Sequence, residues 1–261
     1  MHHAYLDKFA ARDSPVHRRD PRAKTAAFFA LLAAAILVPP GLWWPFAAVA
    51  VIVVAVWAAS GVPLGYLLKR VVVLSPFILF SLVLFPVFYG GRAVWTAQLG
   101  PWQVSVTREG LELSGNIAAK FVLGVLILGL LFSVTRFQHF LYALSRFRVP
   151  QLLVMQLGFL YRYLFVVLDE AERMLRAREA RSAGRGGWHL WRASAGLVGT
   201  LFLRSYHRSR RVYWAMLARG FSGEVHVLGR LRWRAADTAF ASSLVAVAAA
   251  VTVCWAAVGL R

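Results

Sequence analysis

Long apolar runs constrain the fold of this chain more than any other feature of its sequence. Of its 261 residues, 59% are hydrophobic, and a helix needs about 20 mostly apolar residues to cross a bilayer. Five runs approach or reach that length, at residues 25–38, 42–59, 71–89, 117–134 and 236–260. The sequence therefore predicts an all-α membrane protein with about five transmembrane helices.

The first apolar run is short, and the residues before it are expected to extend the helix. Asp20 is a favourable N-cap and Pro21 a favourable first helical residue, so we expect the helix to begin at Pro21. Residues 1–24 are polar and include acids, and no small-residue cleavage site follows. We therefore expect this run to be retained as a span and not removed as a signal peptide.

The distribution of positive charge predicts the orientation. The net charge is +19, and residues 135–235 hold eighteen of the thirty lysines and arginines. Because positively charged loops stay on the cytoplasmic side, we expect the N-terminus and residues 135–235 to lie in the cytoplasm of a bacterial inner membrane protein. A nucleic-acid-binding protein would not combine this charge with several long apolar runs.

The loop at residues 90–116 is predicted to face outward. Its segments 103–106 and 111–113 flank Glu109-Gly110 and suggest a small β-hairpin. The chain is expected to divide into three parts: an N-terminal segment with four spans at 1–134, cytoplasmic helices at 135–235, and a last span at 236–261.

The cytoplasmic region at 135–235 is predicted to contain three helices. A short interfacial helix at 136–147 precedes two long ones at 151–181 and 188–219. Each long helix is apolar in its first half and rich in arginine in its second. The arginine-rich ends must leave the hydrocarbon, because each centrally buried arginine costs about 2.5–3.5 kcal/mol.

Both long helices end in the same six-residue pattern, Ala-x-x-Ala-Arg-small. Residues 177–182 form the first copy and residues 215–220 the second. Arginine offers five donors in a planar fork, and the small neighbours allow another surface to approach closely. Two matched basic helix ends indicate two matched receptor sites on other proteins, and the competing explanation is a chance repeat in an alanine- and arginine-rich chain.

Five stretches of the chain resemble a known family. They are the two Ala-Arg boxes and the segments at 17–24, which includes Asp20-Pro21-Arg22, at 146–150, which ends in Val149-Pro150, and at 161–170, which ends in Asp169-Glu170. Together they resemble the transmembrane T component of energy-coupling factor (ECF) transporters, in particular the cobalt type (CbiQ-like). Ser182 is a departure, because the family usually has glycine there.

The resemblance implies a non-enzymatic coupling role. The T component joins two cytoplasmic ABC-type ATPases to a substrate-binding membrane subunit within the lipid bilayer, and its two long helices cross. The contacts with the ATPases would be made by the six small and basic residues of the boxes, namely Ala180, Arg181, Ser182, Ala218, Arg219 and Gly220. Nickel or a vitamin such as biotin is the alternative cargo to cobalt.

Other chemistries find little support in the sequence. No phosphate-binding loop of the form G-x-x-x-x-G-K-[ST] occurs, so the chain itself is not expected to bind ATP. Neither a cofactor nor a metal site is expected, since Cys254 is the single cysteine and the histidines are scattered. An intramembrane enzyme acting on lipid-linked substrates would need acids or histidines at membrane depth, where the runs offer almost none.

Overall fold

The computed structural model of the chain describes residues 12–99, 102–182, 188–223 and 233–259. These residues form helices joined by short connections, with one two-stranded hairpin. The elements in chain order are α1 (Pro21–Leu37), α2 (Trp44–Ser60), α3 (Leu64–Phe88), β1 (Ala93–Leu99), β2 (Trp102–Thr107), α4 (Arg108–Val134), α5 (Phe137–Arg146), α6 (Gln151–Ser182), α7 (Trp188–Ala218) and α8 (Ala235–Gly259). The expectation of an all-α membrane protein is confirmed.

Four helices in this part of the chain are long and apolar enough to cross a membrane. They are α3, α4, α6 and α8, while α2 is a shorter apolar helix. The sequence had indicated α1 in place of α6. At 17 residues α1 is shorter than a full crossing, whereas α6 qualifies by length and composition through its apolar first half.

Two helices begin earlier than the apolar runs predict. α3 begins at Leu64 and not at residue 71, because Lys69 and Arg70 interrupt the apolar run without breaking the helix. The guanidinium of Arg70 lies 4.6 Å from the ring centroid of Tyr66 and donates to the carbonyl of Gly129 at 3.4 Å. A charged side chain packed in this way is compatible with a continuous helix.

α4 begins at Arg108 and not at residue 117, and the hairpin prediction was wrong in its register. Residues 111–113 belong to α4. The strand that pairs with β1 is β2, and Leu99 of β1 lies opposite Trp102 of β2. The Thr107 hydroxyl caps α4 by accepting from the amide of Gly110 at 3.3 Å. A Cβ at Gly110 would lie 2.7 Å from the carbonyl oxygen of Phe85, so only glycine permits this approach of α4 to α3.

The core of the first compact unit is built around α1. This unit contains α1 to α4, the hairpin and α8. Small and apolar side chains of α1, among them Ala27, Leu31 and Ala35, are fully buried against α2, α4 and α8. Alanines along one helix let neighbouring backbones approach closely, which is how helices pack in a membrane.

A buried polar junction closes one end of this unit. The ammonium of Lys24 donates to the carbonyl of Val134 at 2.9 Å and to that of His17 at 3.2 Å. The Asp20 side chain caps α1 by accepting from the amide of Arg22 at 2.9 Å, as predicted. The backbone amide of Asp20 in turn donates to Asp237 of α8 at 3.1 Å. The buried Lys24 and Asp237 therefore each have a partner from a distant part of the chain, and the Asp20 carboxylate has a local one.

Candidate docking surface on the two long helices

The second compact unit, Leu144–Arg230, contains the two long helices that carry the predicted docking residues. α6 starts directly after Pro150, which has no amide to leave unpaired at a helix start. Exposed leucines cover its first half, at Leu152, Leu153, Leu157, Leu160, Leu164 and Leu168. Its second half carries the arginines, so the helix changes from apolar to basic along its length.

The first Ala-Arg box lies at the C-terminal end of α6. Ala180 and Arg181 are both exposed, and Ser182 is the last residue of the helix. The side chain of Ser182 lies outside the described part of the structure. Arg181 occupies the last turn, where the helix dipole favours a positive charge.

The second box forms the C-terminal cap of α7. Gly220 has a φ of 79°, the amide of Phe221 donates to the carbonyl of Met216 at 3.1 Å, and the amide of Gly220 donates to that of Leu217 at 3.0 Å. These two bonds and the left-handed glycine form a Schellman motif. The motif ends the helix abruptly and leaves Ala218, Arg219 and Gly220 exposed.

An ion-pair cluster joins α6 to α7. The carboxylate of Glu170 accepts from Arg204 of α7 and from Arg173 of its own helix at 2.9 Å. A second bond, from Arg178 to Ser194 at 2.7 Å, ties the basic end of α6 to the beginning of α7.

These contacts fix the positions of the boxes along the helices. Because Glu170 meets Arg204 and Arg178 meets Ser194, the two helices run in opposite senses where they touch. Arg181 lies eleven residues beyond Glu170 on α6, and Arg219 fifteen residues beyond Arg204 on α7. At 1.5 Å per residue, each basic end extends about 15–25 Å along its helix from the ion pair.

Reasoning from the sequence found part of this cluster. Helical spacing alone predicts one contact beside it, since Glu172 and Arg176 are four residues apart and their side chains meet at 3.3 Å in the structure. It missed Arg204 as a partner of Glu170, since the two are 34 residues apart. One feature of the sequence could have indicated this pair: α6 changes from apolar to charged near Glu170, and α7 does so near Arg204.

The described residues contain no group of three or more His, Cys, Asp or Glu side chains arranged to hold a metal ion. The chemistry that this surface offers is recognition by exposed guanidinium groups. Among the described residues, four helices long and apolar enough to cross a membrane define a multi-pass membrane protein.

Comparison with known proteins gives the family. The chain belongs to the CbiQ family of cobalt transport proteins, whose family model matches residues 12–227. This membership confirms the resemblance that the sequence motifs indicated.

Individual relatives come from bacteria and archaea. The chain is 30% identical to an energy-coupling factor transporter transmembrane protein of Listeria innocua, over 94% of this chain and 95% of the relative. It is 29% identical to a cobalt transport protein of Rhodobacter capsulatus over 53% of this chain and 57% of the relative. An uncharacterized protein of Methanocaldococcus jannaschii is 28% identical over 69% of this chain, and the match spans less than two thirds of that relative, 63% of its length.

Proposed function

We propose that this chain is the transmembrane coupling subunit of an ECF-type importer. In this role it transmits the motion of two cytoplasmic ATPases to a substrate-binding membrane subunit and catalyses no reaction itself. The observation that carries the proposal is the pair of exposed Ala-Arg boxes, each at the C-terminal end of a long helix. The full-length likeness to a protein named as an ECF transmembrane component supports it.

The geometry of α6 and α7 suits the transmission of force. Each helix is a stiff rod of more than thirty residues, and the Glu170 cluster holds the two together at one place. A displacement applied to Arg181 or Arg219 is therefore carried along a helix to the ion pair. The exposed apolar halves beyond the pair supply a surface for a membrane partner or lipid.

The proposed orientation places the N-terminus and the basic helix ends in the cytoplasm of a bacterial plasma membrane. Cytoplasmic lysine and arginine are favoured by the positive-inside rule, and the boxes then face the compartment that contains ATP. The parts at 1–134, 135–235 and 236–261 serve as membrane anchor, coupling region and last span.

Cobalt is the proposed cargo. The matching family is described as cobalt transport proteins, and the Rhodobacter relative carries the same description. Nickel or a vitamin such as biotin is the second candidate, because the Listeria relative is named for the transporter class without a cargo. Accumulation of labelled cobalt, nickel and biotin by cells that express the whole transporter will distinguish these cargoes.

The docking role is tested by charge reversal at both boxes. The double variant Arg181→Glu, Arg219→Glu should lose both ATPases when the complex is purified through this chain. A docked and desolvated arginine contributes at least about 2 kcal/mol, so the loss of its box should weaken capture of each ATPase by about thirtyfold or more.

The matched control is the double variant Arg176→Glu, Arg210→Glu, which makes the same change in charge on the same two helices outside the boxes. Both control residues are exposed, and this variant should retain the ATPases. If the box variant co-purifies with the ATPases at the control yield, the boxes are not the docking sites.

A further inference from the structure

A basic cleft of about 350 Å³ lies between α6 and α7. Glu170 lines it from α6, and the remaining lining residues come from one side of α7: Arg204, His207, Arg208 and Arg211. The three arginines are four and three residues apart, a spacing that places them on one face of a helix. Arg210 falls outside that spacing and does not line the cleft.

The acid in the cleft does not neutralise it. The Glu170 carboxylate is already bonded to Arg204 and Arg173. Among the residues that the structure describes, no carboxylate lies within ion-pair distance of Arg208 or Arg211. Within the described part of the chain, two guanidinium groups therefore line the cleft without a carboxylate partner, and the planar fork of arginine matches the oxygens of a phosphate group.

Exposed apolar side chains adjoin the cleft on both helices. On α6, exposed Leu168 precedes Glu170 by two residues and exposed Leu175 follows it by five. On α7, exposed Phe202 and Leu203 directly precede Arg204. The cleft therefore places guanidinium groups beside apolar surface, the combination that the headgroup and acyl chains of a lipid require.

Exposed aromatic side chains near the cleft also favour contact with the membrane–water interface. Tyr206, Tyr213 and Trp214 lie on α7 within and just beyond the basic stretch, and each is at least half exposed. Tyrosine and tryptophan are enriched at the membrane–water interface, where the ring meets apolar chains and the polar atom meets water.

We propose that this cleft binds the phosphate group of an anionic phospholipid. Arg208 and Arg211 hold the phosphate oxygens, while Glu170 lines the opposite wall from α6 and its bond to Arg204 keeps the two helices together. The ligand is a phosphate ester, and lipid is its source because exposed apolar side chains of both helices adjoin the cleft. This site goes beyond the proposed docking role and does not depend on it.

The test is lipid retention by the full-length chain in mild detergent, read by native mass spectrometry. Phosphatidylglycerol and phosphatidylcholine with identical acyl chains are offered together. Each arginine near an anionic surface contributes roughly fivefold in affinity, so the variant Arg208→Gln, Arg211→Gln should bind phosphatidylglycerol about thirtyfold more weakly. Both chosen residues are at least partly exposed, so the fold should persist.

The control variant Arg176→Gln, Arg210→Gln removes the same charge outside the cleft and should change retention by only a few-fold. An equal loss in both variants would show diffuse attraction and overturn the site. Displacement of the lipid by inorganic phosphate at the same concentration would exclude the lipid assignment.

A third outcome concerns protein partners. If the cleft variant keeps phosphatidylglycerol but loses the ATPases, the cleft is a protein contact and the lipid proposal fails. The two proposals remain separable, because the variant Arg181→Glu, Arg219→Glu should lose the ATPases and still retain the lipid.

Discussion

At the scale of single residues, Glu170 connects the two long helices. Its side chain is only 15% exposed and contacts arginines from both long helices. Glu172, two residues further along, is half exposed and pairs only within α6. Glu170 therefore makes a contact between the two helices, whereas Glu172 makes a contact within one helix.

We expect Glu170→Gln to loosen the junction of α6 and α7. Backbone amide exchange near residues 170 and 204 should accelerate by roughly twofold to fivefold, the effect of a partly exposed ion pair. Glu172→Gln is the matched control and should leave exchange at α7 unchanged. An equal response to both substitutions would show that Glu170 does not connect the helices.

At the scale of elements, the sequence predicts helices from their apolar and capping residues and fails where contacts between elements decide. The bounds of α6, α7 and α8 were predicted to within one residue, because Pro150, Gly220 and continuous patterns mark them. The starts of α3 and α4 were missed by seven and nine residues. There the helix is maintained by packing, as at Gly110 against Phe85, which no local pattern reveals.

The candidate site shows the same division. The residues of both boxes were found from a local repeat and lie at helix ends as expected. The Glu170–Arg204 pair and the basic cleft were not foreseen, because they depend on how two helices meet. Spacing along one helix can be read from sequence, whereas a partner 34 residues away cannot.

The cap of α7 gives a prediction at this scale. Gly220→Ala should destabilise the end of the helix by about 1 kcal/mol, since a side chain disfavours the left-handed conformation. Gly196→Ala is the control: both sites have open space for a Cβ, but Gly196 lies inside the helix, where alanine should stabilise by about 0.5–1 kcal/mol. Amide exchange of Arg219 and Phe221 will report the change, and equal effects would exclude the cap argument.

At the scale of the whole molecule, the proposed topology can be tested by labelling. In a Cys254→Ser background, which removes the exposed natural thiol, Pro15→Cys and Arg92→Cys introduce single exposed cysteines. A membrane-impermeant maleimide should label position 92 in intact cells and position 15 only after permeabilisation. The reverse pattern would invert the proposed orientation and place both boxes outside the cell.

The partners of Lys24 have a consequence for biosynthesis. The ammonium of Lys24 donates a hydrogen bond to the carbonyl of Val134, which is 110 residues further along the chain. The amide of Asp20 donates to the side chain of Asp237, which is 217 residues beyond Asp20. At about 5–20 residues per second, translation reaches Val134 roughly 5–20 s after Lys24. During that interval the newly made first helix carries an ammonium without its final ligand, so the insertion machinery or lipid headgroups must shelter it until the later helices emerge.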